Sequence, residues 1–394
     1  MLESAVNRNS DNLALYVHWP FCLSKCPYCD FNSHVRDSID QSLWRTALLQ
    51  ELQTEIHENP ERRITSVFFG GGTPSLMAPG TVSDILDSAC KYWKVDRNVE
   101  VTLEANPTSL ETSDLNDFNH AGVNRLSLGI QSLNESALKF LGRKHTVREA
   151  LSALDLARKV FSRYSFDLIY CRPEQSLAAW ERELAAALEY VGDHISLYQL
   201  TIERGTAFFA LWRDGHLKMP CESVSATQFE QTQLIMENAG LPAYEISNHA
   251  KPGNESLHNL TYWQYGDYVG IGPGAHGRIQ QGDQKIAVKR IANPENWRQQ
   301  VVAKSHGTQE KTPLTSTEVV EEMILMGLRL RRGIDLVALQ HQTRQPVSSL
   351  INENALADFI SAGLIKKSHH QLKATRAGRQ RLNAIMPKLL DRVC

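Results

Sequence analysis

The stretch HWPFCLSKCPYCDF, residues 18–31, spaces Cys22, Cys26 and Cys29 as C-x3-C-x2-C, just after the apolar run 13–17. Three thiolates on a short loop can hold three irons of a [4Fe–4S] cube and leave the fourth iron open. Metal sites that do chemistry keep such an open position, whereas structural sites fill it. The competing reading is structural zinc, which wants a fourth Cys or His and usually shows C-x2-C pairs. His18 and His34 are candidates for that ligand, but the seven cysteines contain no second C-x2-C pair. A disulfide framework is not expected, because the polar start MLESAVNRNSDN has no signal-peptide character.

Around this loop the composition is that of a water-soluble globular chain. It has 394 residues, 42% hydrophobic and 22% charged, with a net charge of −2. No apolar run approaches the ~18 residues a membrane span needs. The near-neutral charge argues against a dedicated nucleic-acid binder. Cys90, Cys171, Cys221 and Cys394 are scattered, as expected of reduced thiols in the cytoplasm.

Short apolar runs at 13–17, 66–69, 99–103, 125–130, 166–170 and 194–200 alternate with helical patterns at 39–56, 83–92, 112–119, 147–161 and 176–190. Such alternation predicts parallel strands with crossover helices. Six units predict an α/β fold of the incomplete (β/α)6 TIM-like barrel kind, because each run ends in a polar or glycine feature and barrels build sites at strand C-terminal ends. A doubly wound sheet would gather ligands at one switch point instead. The expected division is a tail at 1–12, the partial barrel with its extension at 13–310, and a mainly helical, winged-helix-like domain at 311–394. That last segment holds 13 Lys+Arg against 7 Asp+Glu. A basic winged helix can bind nucleic acid; the expectation here is a packing or substrate-covering domain with solvated charges.

Several strand ends carry candidate site residues. Gly70, Gly71 and Gly72 precede Thr73, and a glycine run permits unusual backbone angles or close approach to a ligand. Glu104 closes VTLEANP, where a carboxylate could accept ribose hydroxyls or meet an ammonium group. Gln131 ends the fourth run in RLSLGIQS, Arg143 follows in FLGRKHT, and Asp167 lies in FDLIY. Each alone is more often a surface residue; together they converge on one rim.

The set resembles the radical S-adenosylmethionine (SAM) superfamily, and within it the anaerobic coproporphyrinogen III oxidase family, over most of the chain. Besides the cysteines, the carrying motifs are FFGGGTPS (68–75), LEANP (103–107), RLSLGIQS (125–132), DLIY (167–170), YEISNHA (244–250), HNLTYW (258–263) and GIGPGAHG (270–277). The resemblance implies a [4Fe–4S] cluster on Cys22, Cys26 and Cys29, with SAM on its open iron. Motif match puts Tyr16, Gly71 and Glu104 on that SAM. Tyr28, Gly72, Thr73, Gln131, Arg143, Asp167 and Thr201 match contacts to a second SAM, and His276 matches a further cofactor contact. Arg143, with a bidentate fork, is the natural carboxylate clamp.

Two departures bear on the branch. The oxidases resemble C-x3-C-x2-C-x-C, whereas Phe31 occupies the last position here, and the segment before the cysteines is short. Both features resemble the haem-chaperone branch, which also carries H-N-x-x-Y-W, present as His258, Asn259, Tyr262 and Trp263. The expectation is a protein that binds haem or porphyrin and passes haem to acceptor proteins, with an electron donor if the cluster is redox-active. The oxidase activity is the alternative, and a zinc- or cluster-stabilised binding module without SAM chemistry is a third. Imidazole is a standard axial ligand for haem iron, so His258 is the expected haem ligand, with His249 as its competitor. Family members commonly read D-L-I-Y-G-x-P-G-Q, but DLIYCRPEQ places Cys171 and Glu174 at the glycine positions, which puts the loop geometry there in question.

Overall fold

A computed structural model describes residues 11–108 and 114–391. Six strands, β1 (Asn12–Trp19), β2 (Arg63–Gly71), β3 (Lys94–Ala105), β4 (Arg125–Gln131), β5 (Arg163–Tyr170) and β6 (His194–Gln199), are parallel and lie side by side in chain order. Between them run α1 (Gln41–Glu58), α2 (Pro79–Tyr92), α3 (Leu115–His120), α4 (Glu135–Phe140), α5 (Val147–Val160) and α6 (Leu177–Leu188). This is the incomplete six-strand barrel that the alternation predicts. Residues 112–113 of the helix expected at 112–119 fall outside the described residues.

Local chemistry sets the helix starts. The Asp40 carboxylate accepts from the N–H groups of Ser42 and Leu43, Thr146 and Glu149 close a capping box, and the Ser176 hydroxyl accepts from Ala179. Each satisfies N–H groups that a helix end leaves without partners. β3 begins earlier than its apolar run suggests, since Lys94 and Val95 pair with Arg63 and Ile64 although the stretch is largely exposed.

Strand alternation divides the core. Leu13, Leu15, Val17 and Trp19 of β1 face the helix layer, where Trp19 meets Trp44 of α1 edge-on at 6.4 Å between centroids. The alternate residues Tyr16 and His18 face the barrel interior, where Tyr16 stacks on Phe68 of β2.

After β6 come α7 (Ala207–Arg213), α8 (Glu222–Asn238), β7 (Asn248–Ala250) antiparallel to β6, and α9 (Leu257–Trp263). β8 (Tyr268–Ile271) then pairs parallel to the free edge of β1. The antiparallel strands β9 (His276–Gln281), β10 (Gln284–Arg290) and β11 (Thr308–Pro313) extend the sheet outward from it. α10 (Pro294–Lys304) lies between β10 and β11. A buried acid fastens this extension to α1. Glu51 accepts from the N–H of Gly272 at 2.8 Å, the N–H of Gly307 at 2.6 Å and Nε1 of Trp297 at 3.0 Å.

The expected boundary at 310/311 falls inside β11. The separate apolar cluster of the C-terminal unit starts in α11 (Ser316–Gly327) and ends at Leu389. It contains a three-stranded antiparallel sheet of β12 (Ile334–Asp335), β13 (Ile365–Lys367) and β14 (Gln371–Ala374), the wing of a winged-helix-like arrangement. Ion pairs and hydrogen bonds dock the unit on the barrel, among them Arg278 with Glu322 at 2.7 Å and Gln380 to Glu230 of α8 at 2.9 Å. Among the described residues, no helix is long and apolar enough to cross a membrane.

Candidate functional site

A cavity of about 1210 Å³ opens at the C-terminal ends of the barrel strands. Its wall includes Cys22, Cys26, Tyr28 and Cys29 from the loop after β1, and Gly71, Gly72 and Thr73 after β2. Glu104, Gln131, Arg143, Asp167 and Thr201 complete the barrel side. Twelve of the fifteen expected site residues therefore share one wall, although they come from seven separate parts of the chain.

Hydrogen bonds from two side chains hold the cysteine loop in shape. Lys25 Nζ donates to the Phe31 carbonyl at 2.8 Å and to the Ser33 hydroxyl at 2.7 Å. Asn32 Nδ2 donates to the carbonyls of Pro273 and Ala292, both at 2.9 Å, tying the loop to the GIGPGAHG turn. Gly274 is required there, because a Cβ would sit 2.5 Å from Asn32 Nδ2. The glycines after β2 work similarly. Gly71 has φ +112°, and a Cβ on Gly72 would lie 2.6 Å from the Phe21 carbonyl oxygen. These glycines let the β2 loop pack against the cysteine loop, with Gly72 N–H donating to the Trp19 carbonyl at 2.7 Å.

The thiols are three free, half-buried cysteines, and donors are aimed at two of the sulfurs. Thr73 Oγ1 donates to Cys22 Sγ at 3.4 Å and Arg143 Nη1 to Cys26 Sγ at 3.3 Å. Burial pushes the Cys22 thiol up, while the Thr73 hydroxyl opposes that rise. His18 does not serve as a fourth ligand, because Tyr16 donates to its Nδ1 at 3.0 Å and its Nε2 donates to the Asn32 carbonyl at 2.9 Å. His34 Nε2 is engaged by Asn32 Oδ1 at 3.2 Å. Among the described residues, no three such side chains converge on a point suited to one ion. An all-thiol set with hydrogen-bond donors to sulfur fits a cluster on Cys22, Cys26 and Cys29.

Deeper on the wall lie two carboxylates. Burial pushes Glu104 up to about 8, and nearby Asp167 adds to the rise, while the Gly71 N–H and Arg125 oppose it. Burial pushes Asp167 up to about 6, against its Ser196 hydrogen bond and the charges of Arg125 and Arg143. Such a pair can accept hydroxyls or meet an ammonium group with little water competing. Asn106, passed over as a site residue, bridges the wall. It donates to Thr73 Oγ1 at 3.1 Å and accepts from Arg143 Nη2. Its place in LEANP was the available signal.

Three of the expected residues are not on this wall. Tyr16 does not line the cavity; its hydroxyl is spent on His18, and its ring stacks on Phe68. His276 is exposed on β9, away from the cavity wall. His258, expected to ligate haem iron, is 1% exposed inside the barrel. Its Nδ1 meets Ser66 Oγ at 2.9 Å, its Nε2 meets the Tyr262 hydroxyl at 2.5 Å, and its ring stacks on Phe68. Both ring nitrogens are occupied, so no lone pair is offered to iron. His249 is equally buried, with Nδ1 near the Leu241 carbonyl, but its Nε2 has no hydrogen-bond partner among the described residues.

Comparison with known proteins agrees with this geometry. Residues 16–186 match the Radical SAM superfamily and residues 314–381 match the HemN C-terminal domain. Radical S-adenosyl methionine domain-containing protein 1, mitochondrial, of Bos taurus is 40% identical over 98% of this chain and 88% of its own length. Heme chaperone HemW of Buchnera aphidicola subsp. Schizaphis graminum is 32% identical over 96% of this chain and 98% of its own. Heme chaperone HemW of Escherichia coli is 40% identical over 70% of this chain and 72% of its own. The solved coproporphyrinogen III oxidase (HemN) of Escherichia coli, described as a radical SAM enzyme, superposes with a TM-score of 0.81 over 98% of this chain and 92% of its own, at 21% identity.

Proposed function

This chain belongs to the radical SAM superfamily, in the family of its HemW and radical SAM domain-containing protein 1 relatives, and on that footing we propose that it is a haem chaperone. It binds haem and passes it to acceptor proteins that require it. The observation that carries the reading is the level of likeness. The heme chaperone HemW relatives reach 32–41% identity, whereas the oxidase resembles this chain at 21% and so speaks for the fold alone. Phe31 supports the same side. It stands 61% exposed on the cavity wall, where the oxidase pattern has a further cysteine.

Superfamily membership implies a [4Fe–4S] cluster and SAM. When bound, the pair supplies one-electron chemistry at the sulfonium of SAM. The residues of this chain hold and orient. Cys22, Cys26 and Cys29 carry the cluster; Gly71, Gly72, Thr73, Tyr28 and Gln131 shape the wall beside it. Glu104 and Asp167 would meet hydroxyl and ammonium groups, and Arg143, bonded to Cys26 Sγ, Asn106 and the Gly129 carbonyl, would turn its charge toward a carboxylate. With its carboxyl pushed up to about 8, Glu104 keeps a proton at neutral pH until a cationic ligand draws it off. An electron donor is implied only if the cluster turns over. Six free cysteines among the described residues support a reducing compartment such as the cytosol.

The test is an anaerobic haem titration beside coproporphyrinogen III turnover with SAM, both on one cluster-reconstituted sample. Stoichiometric haem binding without decarboxylation is expected. Decarboxylation of coproporphyrinogen III would transfer the assignment to the oxidase.

A further inference from the structure

We propose that Arg329 and Arg379, carried by the C-terminal unit, form the carboxylate-binding end of the cavity and take the two propionates of a planar tetrapyrrole. The inference rests on the haem-handling reading above and names where that ligand is held.

Both arginines line the cavity, although they belong to a unit with its own apolar core. Their charge is compensated only in part. The carboxylate beside Arg329 is Glu245, at 3.6 Å from Nη2, and Glu245 is 1% exposed. One oxygen of Glu245 is already committed to the N–H groups of Ser247 and Asn248 and to Asn248 Nδ2, at 2.6–2.8 Å. Arg379 lies among other cations. Burial pushes its guanidinium down, Arg331 and Arg376 push it further, and Glu237 and Glu245 oppose them.

The donors confirm a shortage of partners. Arg329 Nε and Arg379 Nη1 are buried and have no hydrogen-bond partner among the described residues. A charged donor left unsatisfied costs more than a neutral one, and each such buried group in a native structure calls for a partner. A guanidinium fork matches a carboxylate with two parallel hydrogen bonds. Arg329 is also pre-oriented, with its guanidinium 4.8 Å over the Trp263 ring.

The neighbouring wall is apolar, with Phe229, Ile246 and Leu382. An apolar face bordered by two guanidinium groups is complementary to a flat macrocycle with two acidic arms at one edge. The size agrees: small-molecule pockets usually span about 300–1,000 Å³, so about 1210 Å³ leaves room for a second large ligand beside SAM. The basic surplus of the C-terminal segment, read from sequence as solvated charge, is thereby partly turned inward.

The experiment compares binding of haem and of haem dimethyl ester to the full, cluster-reconstituted chain by absorbance titration. R329Q, R379Q and the conservative R379K are titrated alongside. The unaltered protein is expected to prefer haem over the ester by about tenfold or more, the effect of losing one charge-assisted carboxylate bond. Either Gln variant should lose most of that preference, R379K should keep part of it, and SAM affinity should stay within about twofold. Equal binding of haem and ester by the unaltered protein overturns the proposal while leaving haem handling intact. A loss of SAM binding in the variants with haem preference unchanged overturns it too, by assigning the arginines to the SAM carboxylate. Failure of the unaltered protein to bind haem at all overturns both readings.

Discussion

Arg143 donates from Nη1 to Sγ of Cys26 at 3.3 Å, and its Nη2 meets Asn106 Oδ1. Asn106 in turn donates to Thr73, whose hydroxyl reaches Sγ of Cys22 at 3.4 Å. Two of the three cysteines are thus joined by a relay of side chains, Thr73 and Asn106 from two strand ends and Arg143 from the connection between α4 and α5. The relay does two things at once: it positions the loop, and it aims positive hydrogens at sulfur.

Hydrogen bonds to cluster sulfurs raise the reduction potential by favouring the more negative, reduced state. Arg143→Leu should therefore move the midpoint of the reconstituted cluster to more negative values by tens of millivolts, ~59 mV being tenfold in a one-electron equilibrium. Thr73→Val should move it the same way by less, since its donor is neutral. A redox titration followed by electron paramagnetic resonance reads both. An unchanged midpoint in both variants would show that the sulfur contacts are spectators.

Glu104 gives the cluster-free protein a pH-dependent weakness. Its carboxyl is pushed up to about 8 in the folded state, from 4.5 for the unburied group. The folded state holds the proton more tightly, so this contribution is fully present below about 4.5 and is lost as pH rises through 8. Glu104→Gln keeps an acceptor for the Gly71 N–H and removes the titration. The variant should be more stable than the unaltered protein at pH 8.5, by about 2 kcal/mol, with the difference closing toward pH 4.5. Urea midpoints across that range measure it, and a pH-independent difference counts against the assignment.

The DLIYCRPEQ loop keeps the backbone shape of glycines without the glycines. Cys171 and Glu174 have φ of +60° and +59°. The left-handed region costs a residue with a Cβ about 1–2 kcal/mol. Cys171 recovers part of this by burial and by its contact with Ser225 Oγ at 3.0 Å, whereas Glu174 is exposed. Glu174→Gly should stabilise the protein by about 1 kcal/mol, read as a raised denaturation midpoint with SAM binding unchanged. A lowered midpoint would mean the Glu174 side chain contributes contacts beyond its backbone.

These positions mark what the sequence could and could not convey. Strand–helix alternation exposed the six parallel strands because barrel strands buried on both faces are short apolar runs. It could not show that β8 joins the outer edge of β1, since that pairing joins residues some 250 positions apart. Motif residues at strand ends converged as expected, because one end of the barrel gathers every βα loop. Tyr16 and His276 stand apart from that wall, Tyr16 packed on Phe68 and His276 exposed on β9. Asn106 and the arginines of the C-terminal unit were illegible for the opposite reason: their partners lie far away in the chain.

His258 shows how a motif residue can be structural. The N–H of His258 and the Ser256 hydroxyl are received by Glu100, at 3.1 and 3.3 Å, which docks α9 into the barrel below the cavity. Its ring then links Ser66 to Tyr262, and burial next to Arg125 pushes it down to about 3, so it stays neutral at every physiological pH. A depressed histidine contributes stability that is present above about 6.5 and is lost as pH falls toward 3. His258→Gln should therefore lower stability at pH 7.5 by about 1–3 kcal/mol and flatten the decline below pH 6.5. The Soret spectrum of bound haem should not change, since the iron draws no ligand from this ring. A shifted Soret band in a variant that keeps its near-ultraviolet circular dichroism would show instead that haem entry opens the Ser66–His258–Tyr262 chain and recruits the imidazole.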